Sequence, residues 1–173
     1  MSQPTTQKPT VALVGAGSLA TFLALALHEA GFTITEIVAR DSAMSRRRAR
    51  TLAAKVGARP VTAHSAALDA TLLWFCVPDG AIRIAASALA DQLSAQGKHQ
   101  PRKEVRFALH SSGALSSREL YPLRKAGAAV ASVHPLMTFV AGAPPGLTGV
   151  PFAIEGDAAA KRMARRIVRE LGG

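Results

Sequence analysis

Apolar residues along the chain alternate between short continuous runs and longer stretches with helical spacing. Residues 11–14 are all apolar and end at a glycine turn, a pattern typical of a strand buried on both faces of a parallel sheet. The next apolar residues, from Leu19 to Ala30, recur at helical spacing, and Gly31 suits the position just past a helix end. The chain therefore opens with a strand, a turn and a helix.

The same alternation continues to the end of the chain. It predicts further strands at residues 33–39, 59–62, 71–77, 105–109, 128–133 and 151–155, with loops at 96–103 and 141–149. It predicts further helices at residues 42–56, 65–69, 82–93 and 157–171, and one that begins at a Ser116–Glu119 capping box and ends near Gly127. Strands that alternate with helices in this way predict an α/β fold, a doubly wound and mainly parallel sheet with helices on both faces.

Length and composition are those of one globular domain. The 173 residues are 49% hydrophobic and include one cysteine, which excludes an internal disulfide and a cysteine metal cluster, so we predict no metal site. The N-terminus has no apolar core of the kind found in secretory signals, and the apolar stretch at residues 19–27 is too short to cross a bilayer. We therefore expect a cytoplasmic protein without membrane contact, with a disordered tail at residues 1–9 and one domain at residues 10–173.

Charge is the most unusual feature of the composition. The 21 basic and 11 acidic side chains give a net charge of +10, which attracts polyanions and phosphorylated ligands. Nucleic acid ranks last among the partners we consider, because the chain has no helix-turn-helix or zinc signature and only 5% of its residues are aromatic.

The turn after the first strand has the form G-x-G-x-x-A of a dinucleotide-binding fingerprint. Its residues are Gly15, Ala16, Gly17, Ser18, Leu19 and Ala20. The first glycine permits the tight turn, the second lets a pyrophosphate approach the backbone, and the small final residue allows close packing of helix on strand. The start of the helix adds free amides and a positive dipole end. The turn predicts a Rossmann-like fold that binds a dinucleotide.

The end of the second predicted strand bears on cofactor preference. An acidic residue there would hold the ribose 2′-hydroxyl of NAD, but the sequence has Ala39-Arg40-Asp41-Ser42. A guanidinium at Arg40, or in the Arg46–Arg50 run, can pair with a 2′-phosphate, so NADP is favoured over NAD. Two simpler interpretations stay open: Asp41 is a helix N-cap, and the arginine run is only a solvated face.

Polar side chains follow three later strands, at the sheet edge where ligands of such folds bind. Pro78 follows the strand at residues 71–77 and either lies near the nicotinamide or simply marks a strand end with Asp79 as N-cap. Cys76 in that strand is expected to be a core thiol. The segments His110-Ser111-Ser112 and His134-Pro135 follow the next strands. Because an imidazole can exchange a proton near neutral pH, His134, Ser112 and His110 are the candidate catalytic residues, whereas His28, His64 and His99 are expected to be structural or exposed.

Five segments carry a resemblance to known proteins: VALVGAGSLA, FCVPDGAI, HSSGALSSREL, ASVHPLMTF and GVPFAIEGD. Together they resemble a bacterial family of Rossmann-like oxidoreductases with a C-terminal helical domain of unknown function. More distantly, the chain is similar to pyrroline-5-carboxylate reductases, deazaflavin-dependent NADP oxidoreductases and prephenate dehydrogenases.

The resemblance implies roles for particular residues. Gly15, Ala16, Gly17, Ser18 and Leu19 would hold the pyrophosphate, Arg40 and Ser42 the adenosine end, and Val77 and Pro78 the nicotinamide ribose. Ser112 and His134 match the serine and the His-Pro histidine that act on substrate in prephenate dehydrogenases. The lysine that follows the serine in those enzymes is not matched, since Leu115 and Ser116 stand there.

Members of the resembled family continue into a helical domain that dimerises and closes the substrate pocket. This chain ends after one predicted helix, so we expect the C-terminal helical domain to be absent from it and independent catalysis to need that second wall. Our first hypothesis is an NADP-dependent oxidoreductase domain for a small C=O or C=N substrate, with a homodimer as one implied arrangement. The alternative is a non-catalytic dinucleotide-binding sensor or regulatory module, which would use the same glycine turn without His134 or Ser112.

Overall fold

A computed structural model describes residues 8–96, 106–137 and 146–173. These residues form seven strands and five α-helices. The strands are β1 (Val11–Val14), β2 (Ile34–Ala39), β3 (Arg59–Thr62), β4 (Leu72–Phe75), β5 (Phe107–His110), β6 (Ala129–Pro135) and β7 (Phe152–Gly156). The helices are α1 (Ser18–Glu29), α2 (Ala43–Val56), α3 (Asp79–Gln96), α4 (Tyr121–Lys125) and α5 (Ala158–Glu170), with 3₁₀ turns at Ala63–Ser65 and Ser117–Leu120.

The strands form one sheet in the order β3-β2-β1-β4-β5-β6-β7. All neighbouring pairs are parallel except β6 and β7. The chain runs outward from β1 through β2 to β3 and then crosses back to place β4 on the other side of β1. The order therefore reverses between β1 and β4, and the crevice beyond their carboxyl ends is where open α/β sheets bind ligands.

Strand alternation assigns the helices to the two faces of the sheet. Val11 and Leu13 point into a core that includes the buried faces of α1, α2 and α5. Ala12 and Val14 point into a second core, which includes residues of α3 and α4. Because successive side chains of a strand point to opposite faces, a fully apolar β1 is what a sheet covered on both sides requires. The predicted doubly wound, mainly parallel sheet is confirmed.

The last strand runs against the others. Residues 131–135 of β6 pair with residues 156–152 of β7. The sequence between these strands contains a glycine- and proline-rich segment and no helical pattern. A parallel return usually needs a helical crossover, so a segment whose sequence has no helical pattern favours an antiparallel return.

The predicted capping box at Ser116 and Glu119 is wrong. Ser116 precedes the 3₁₀ turn without any side-chain cap, and the α-helix begins only at Tyr121. Glu119 points away to Arg83 of α3, with Arg83 Nε donating to Oε2 over 2.9 Å. The Ser117 amide donates to the carboxylate of Glu155 on β7. The Glu119 carboxylate is thus held by a residue distant in sequence, and a carboxylate from β7 accepts an amide of the turn.

The predicted helix at residues 65–69 is also wrong, since only Ala63–Ser65 forms a 3₁₀ turn. The buried carboxylate of Glu36 on β2 explains why. It accepts hydrogen bonds from the amides of Ala67, over 3.0 Å, and Leu68, over 3.2 Å. It also accepts a hydrogen bond from Arg59 Nη2 over 2.9 Å. Amides held by a side chain across the sheet edge cannot continue a helix.

Part of the predicted N-terminal tail is packed. Pro9 is buried, and the Lys8 ammonium donates to the Ala30 carbonyl at 2.5 Å and pairs with Glu170 at 2.6 Å. Residues 1–7 lie outside the described residues, as do residues 97–103 and 141–145 of the two predicted loops. Among the helices that the structure describes, none is long and apolar enough to cross a membrane.

Candidate functional site

The first glycine of the turn is pinned between two strand ends. Gly15 has φ +114°, a conformation that L side chains rarely adopt. Its amide donates to the Val38 carbonyl of β2 over 2.8 Å. A Cβ on Gly15 would lie 2.9 Å from the carbonyl carbon of Cys76, just beyond β4, and closer still to its oxygen. Protein packing and backbone conformation both require glycine at this position.

Neither packing nor backbone conformation requires glycine at the second position of the turn. Gly17 has an ordinary φ of −84°, and a Cβ built on it would meet no heavy atom within 4 Å. Gly17 is the N-cap of α1, where no side chain caps the helix and no acidic residue lies in the first turn. The amides that open the helix at Ser18 and Leu19 are therefore available to an anion. A ligand that approaches the backbone closely, such as a dinucleotide pyrophosphate, would account for this glycine.

The segment after β4 closes one side of the turn. Val77 Cγ1 lies 3.1 Å from the position that a Cβ of Gly15 would take, so Val77 and the glycine turn are neighbours. Pro78 is exposed beside it, and Asp79 is the first residue of α3. Cys76 is buried, and burial raises the pKa of its thiol, which agrees with the predicted core role.

The segment after β2 begins with an arginine whose side chain is unpaired among the described residues. The Arg40 side chain is exposed and has no ion-pair or hydrogen-bond partner within the described ranges. Ser42, not Asp41, is the N-cap of α2, and its Oγ accepts the Ser45 amide over 3.3 Å. Asp41 instead pairs with Arg46 at 3.0 Å. The interpretation of Asp41 as the N-cap is therefore wrong, while Arg46, Arg47, Arg48 and Arg50 of the arginine run are exposed.

His110 is fully buried at the end of β5 and uses both ring nitrogens. Nε2 donates to the Ser116 carbonyl over 3.0 Å, and Nδ1 accepts the Ser112 amide over 3.2 Å. Burial lowers the pKa of His110, because the imidazolium loses solvation, although the Ser116 carbonyl and the Glu155, Asp79 and Glu119 carboxylates favour the charged form. The neutral ring thus holds the turn that follows β5.

His134 is held by one nitrogen and leaves the other free. It lies within β6, opposite Ala153 of β7, and not after the strand as predicted. Its Nδ1 lies 2.9 Å from the Ser111 carbonyl. A carbonyl oxygen only accepts, so Nδ1 carries the proton and the neutral ring has its lone pair at Nε2. No described residue forms a hydrogen bond with Nε2. This atom can accept a proton from a ligand, or donate one when the ring is charged.

Ser112 lies in the turn after β5, which both histidines contact. Its Oγ accepts the amides of Ala114, over 3.2 Å, and Leu115, over 3.0 Å. Within the described residues it donates no hydrogen bond, so its proton is available. The Ser112 carbonyl accepts Ser132 Oγ of β6 over 3.1 Å. The turn after β5 therefore contacts both histidines, His110 through the Ser112 amide and His134 through the Ser111 carbonyl.

Sequence reasoning missed the residues that support this network. Trp74, fully buried in β4, donates its indole N–H to Ser111 Oγ over 2.9 Å. The Glu155 carboxylate binds both the amide and Oγ of Ser117. No local signal announces either contact, because each joins residues at least 37 positions apart.

The remaining histidines lie elsewhere. His28 and His64 are exposed, and His99 is outside the described residues. The part of the chain that the structure describes contains no group of three or more His, Cys, Asp or Glu residues placed to hold a metal ion.

The two glycines of the turn should respond differently to alanine. Gly15→Ala should lower the free energy of unfolding by about 2–4 kcal/mol, because the new methyl group clashes with the Cys76 carbonyl at a strained φ. Gly17→Ala should cost no more than about 1 kcal/mol. It should nevertheless weaken nucleotide binding by about tenfold or more, because its methyl group lies where a phosphate approaches the backbone. Urea titration and calorimetry measure the two effects, and wild-type nucleotide affinity in Gly17→Ala would contradict the assignment.

His110 should make stability depend on pH. Its folded-state pKa lies below the value of about 6.5 for an unfolded histidine, so the unfolded chain binds more protons in this range. Its contribution is fully present above about pH 6.5 and is lost as the pH falls from there toward the folded-state pKa.

His110→Gln can keep both hydrogen bonds without titrating. We expect its unfolding free energy to fall less than that of the wild type between about pH 7.5 and about pH 5.5. His64→Gln, at an exposed position, should behave as the wild type. Equal pH dependence of the wild type and His110→Gln would refute the assignment.

Comparison with known proteins places this geometry in context. A family profile described as a Rossmann-like domain matches residues 2–135. No functionally curated protein matches the sequence significantly. Similar solved structures include a proposed NADP oxidoreductase from Bacteroides fragilis, with TM-score 0.76 and 24% identity over 95% of this chain and 58% of that protein.

Two further structures match the enzyme groups that the sequence motifs resemble. A pyrroline-5-carboxylate reductase from Coxiella burnetii has TM-score 0.68 and 16% identity over 96% of this chain and 57% of its own. A prephenate dehydrogenase from A. aeolicus, in complex with hydroxyphenyl propionate and NAD+, has TM-score 0.70 and 16% identity over 99% and 59%.

At these identities the similarity concerns the fold, and the chain spans less than three fifths of each of these three proteins. The resemblance inferred from the motifs is confirmed at that level. Because the family profile covers most of the sequence, the chain belongs to the Rossmann-like domain family.

Proposed function

We propose that this chain is the NADP-binding domain of an oxidoreductase that transfers hydride to or from a small C=O or C=N substrate. The observation that carries the proposal is Gly17, a glycine that neither its φ nor its packing explains, at the uncapped start of α1. The names of the similar structures, a proposed NADP oxidoreductase, a pyrroline-5-carboxylate reductase and a prephenate dehydrogenase with NAD+ bound, support the same class of reaction.

Backbone groups would hold the pyrophosphate. The amides of Ser18 and Leu19 open α1, and their donors and the helix dipole favour negative charge. Gly15 and Ala16 shape the turn, and Gly17 gives the phosphates room at the backbone. Because these donors belong to the main chain, their positions are set by the fold and need no side-chain rearrangement on binding.

Charge beyond β2 favours NADP. Arg40 is exposed, follows β2 directly and is not neutralised by any described carboxylate. Asp41, which would repel a 2′-phosphate, is paired with Arg46. Ser42 Oγ stands at the start of α2, beside the same position. A guanidinium free of partners next to a neutralised carboxylate suits a phosphate better than a ribose hydroxyl.

The bound nicotinamide would supply or accept the hydride. Side chains of the protein would exchange the proton with the substrate. Val77 and Pro78 border the glycine turn on the side of β4, where the nicotinamide ribose would lie. His134 presents an unbonded Nε2 that can take a proton from a hydroxyl or, when charged, give one to a carbonyl or imine. Ser112 can donate its hydroxyl proton to the same substrate atom.

His110 would take part indirectly. Both of its ring nitrogens are bonded, and Nδ1 accepts the Ser112 amide, so it would position Ser112 and not touch the substrate. The small-molecule substrate stays part of the proposal, because the chain spans less than three fifths of each similar structure. The homodimer that the resemblance implies stays a prediction.

Nucleotide titration tests the cofactor assignment. We expect the chain to bind NADPH more tightly than NADH, because Arg40 pairs with the 2′-phosphate. Arg40→Ala should weaken NADPH binding by about tenfold or more and leave NADH binding unchanged, since a charge-assisted hydrogen bond contributes about 1.5–3 kcal/mol.

Arg165→Ala is the matched control, because Arg165 is also exposed but lies on α5 at the other end of the sheet. An unchanged NADPH preference in Arg40→Ala would remove Arg40 as the reader of the 2′-phosphate. Failure to bind either nucleotide would overturn the proposed function itself.

Turnover tests the proton-transfer assignment. With NADPH and a panel of small aldehydes, ketones and cyclic imines, His134→Ala should lower kcat by about 10²–10⁴-fold, because the group that exchanges the proton is lost. NADPH affinity should be retained. His64→Ala should match the wild type. Turnover unaffected by His134→Ala would reject the assignment, and NADPH binding without any turnover would favour the non-catalytic sensor.

A further inference from the structure

Gly113 is a glycine whose conformation does not require one. It is exposed in the turn after β5, and its φ lies outside the left-handed region. A Cβ built on it would nevertheless lie 2.6 Å from Nε2, 2.8 Å from Cε1 and 2.9 Å from Cδ2 of His134. Real Cβ atoms essentially never approach other heavy atoms so closely. The imidazole of His134 therefore occupies the space in which any other residue would have its side chain.

The three distances also show which part of the ring is contacted. A point in line with the Nε2 lone pair would be much farther from Cε1 and Cδ2 than from Nε2. The three nearly equal values place the missing Cβ over the face of the ring. Gly113 thus packs on the imidazole face and leaves the direction of the Nε2 lone pair open.

Neither partner can move without breaking hydrogen bonds. The turn on the Gly113 side is held by Ser112, whose Oγ accepts two amides and whose carbonyl accepts Ser132 Oγ. The ring is held at Nδ1 by the Ser111 carbonyl. Ser111 is in turn fixed through its Oγ by the buried indole of Trp74. Displacement of the ring breaks one hydrogen bond, whereas displacement of the turn breaks four, including the one from the Ser112 amide to His110 Nδ1. A side chain at position 113 would therefore move the ring more easily than the turn.

We propose that Gly113 is a positioning residue for His134: the bare Cα of Gly113 and the Ser111 carbonyl together hold the imidazole in one orientation, with the proton on Nδ1 and the lone pair on Nε2. A side chain at position 113 displaces the ring from the Ser111 carbonyl, and the neutral imidazole then exchanges between its two tautomers. The consequence for turnover rests on the proposed function, whereas the contact and the tautomer do not.

Nitrogen-15 NMR of the imidazoles tests the proposal directly. Two-bond proton–nitrogen spectra of the 173-residue chain distinguish a protonated from an unprotonated ring nitrogen, and the His134 signals are identified by their loss in His134→Ala. In the wild type at a pH where the ring is neutral, we expect one tautomer, protonated at Nδ1. In Gly113→Ala we expect averaged nitrogen shifts from a mixture of tautomers. Gly146→Ala, at an exposed glycine with open space and ordinary φ, should leave the His134 signals unchanged.

A double-mutant cycle separates ring contact from a general effect on folding. Gly113→Ala should lower the melting temperature of the wild type by roughly 2–10 °C, as overpacking does in a domain of this size. In the His134→Ala background the same change should have no such effect, because the ring that opposes the methyl group is gone.

Either of two results would overturn the proposal: an unchanged Nδ1-protonated tautomer in Gly113→Ala, or equal loss of melting temperature in both backgrounds. Neither readout needs nucleotide or substrate. A failure of this proposal is therefore distinguishable from a failure of the proposed function, which nucleotide titration decides.

Discussion

The close approach of Gly15 to the Cys76 carbonyl is the constraint on which the site depends. It joins the end of β1 to the end of β4, the two strands between which the sheet order reverses. The Gly15 amide also binds the Val38 carbonyl of β2, so three strand ends meet at one residue. This junction sets where α1 begins, and hence where its free amides face the crevice. A larger residue at position 15 would separate β1 from β4 and displace the first amides of α1.

Two kinds of group divide the proposed chemistry between them. At the glycine turn the main chain supplies the donors, and their geometry follows from the fold. At the other end of the crevice a side chain, His134, supplies an atom that can exchange a proton, and it needs support from Ser111, Gly113 and Trp74. The basic surface contributes at one defined position, where Arg40 is left unpaired while its neighbour Asp41 is neutralised by Arg46.

Patterns that act within one element could be predicted from the sequence. The bounds of β1 and β3 match the prediction, and the glycine turn lies between β1 and α1 as expected. The strand-end rule placed His134 after its strand, whereas it lies within β6 and contacts the turn after β5 through the Ser111 carbonyl. Long-range partners explain what failed. Glu119 pairs with Arg83, and Glu36 holds the amides of residues 67 and 68, so local capping and helical patterns were overridden. The contact of Gly113 with His134 depends on the register of β5 and β6 and has no signature in the local sequence.

The chemical shifts of the backbone amides during a titration with NADP+ show whether the uncapped start of α1 binds a dinucleotide. In proton–nitrogen correlation spectra of the chain, we expect saturable shifts of the Gly17, Ser18 and Leu19 amide signals. The amide signals of Arg40 and Val77 should follow the same binding curve. The chemical shifts of the α5 amides should not change. Saturable binding that leaves the amides of the glycine turn unmoved, or shifts confined to the basic surface of α5, would contradict dinucleotide binding at the start of α1.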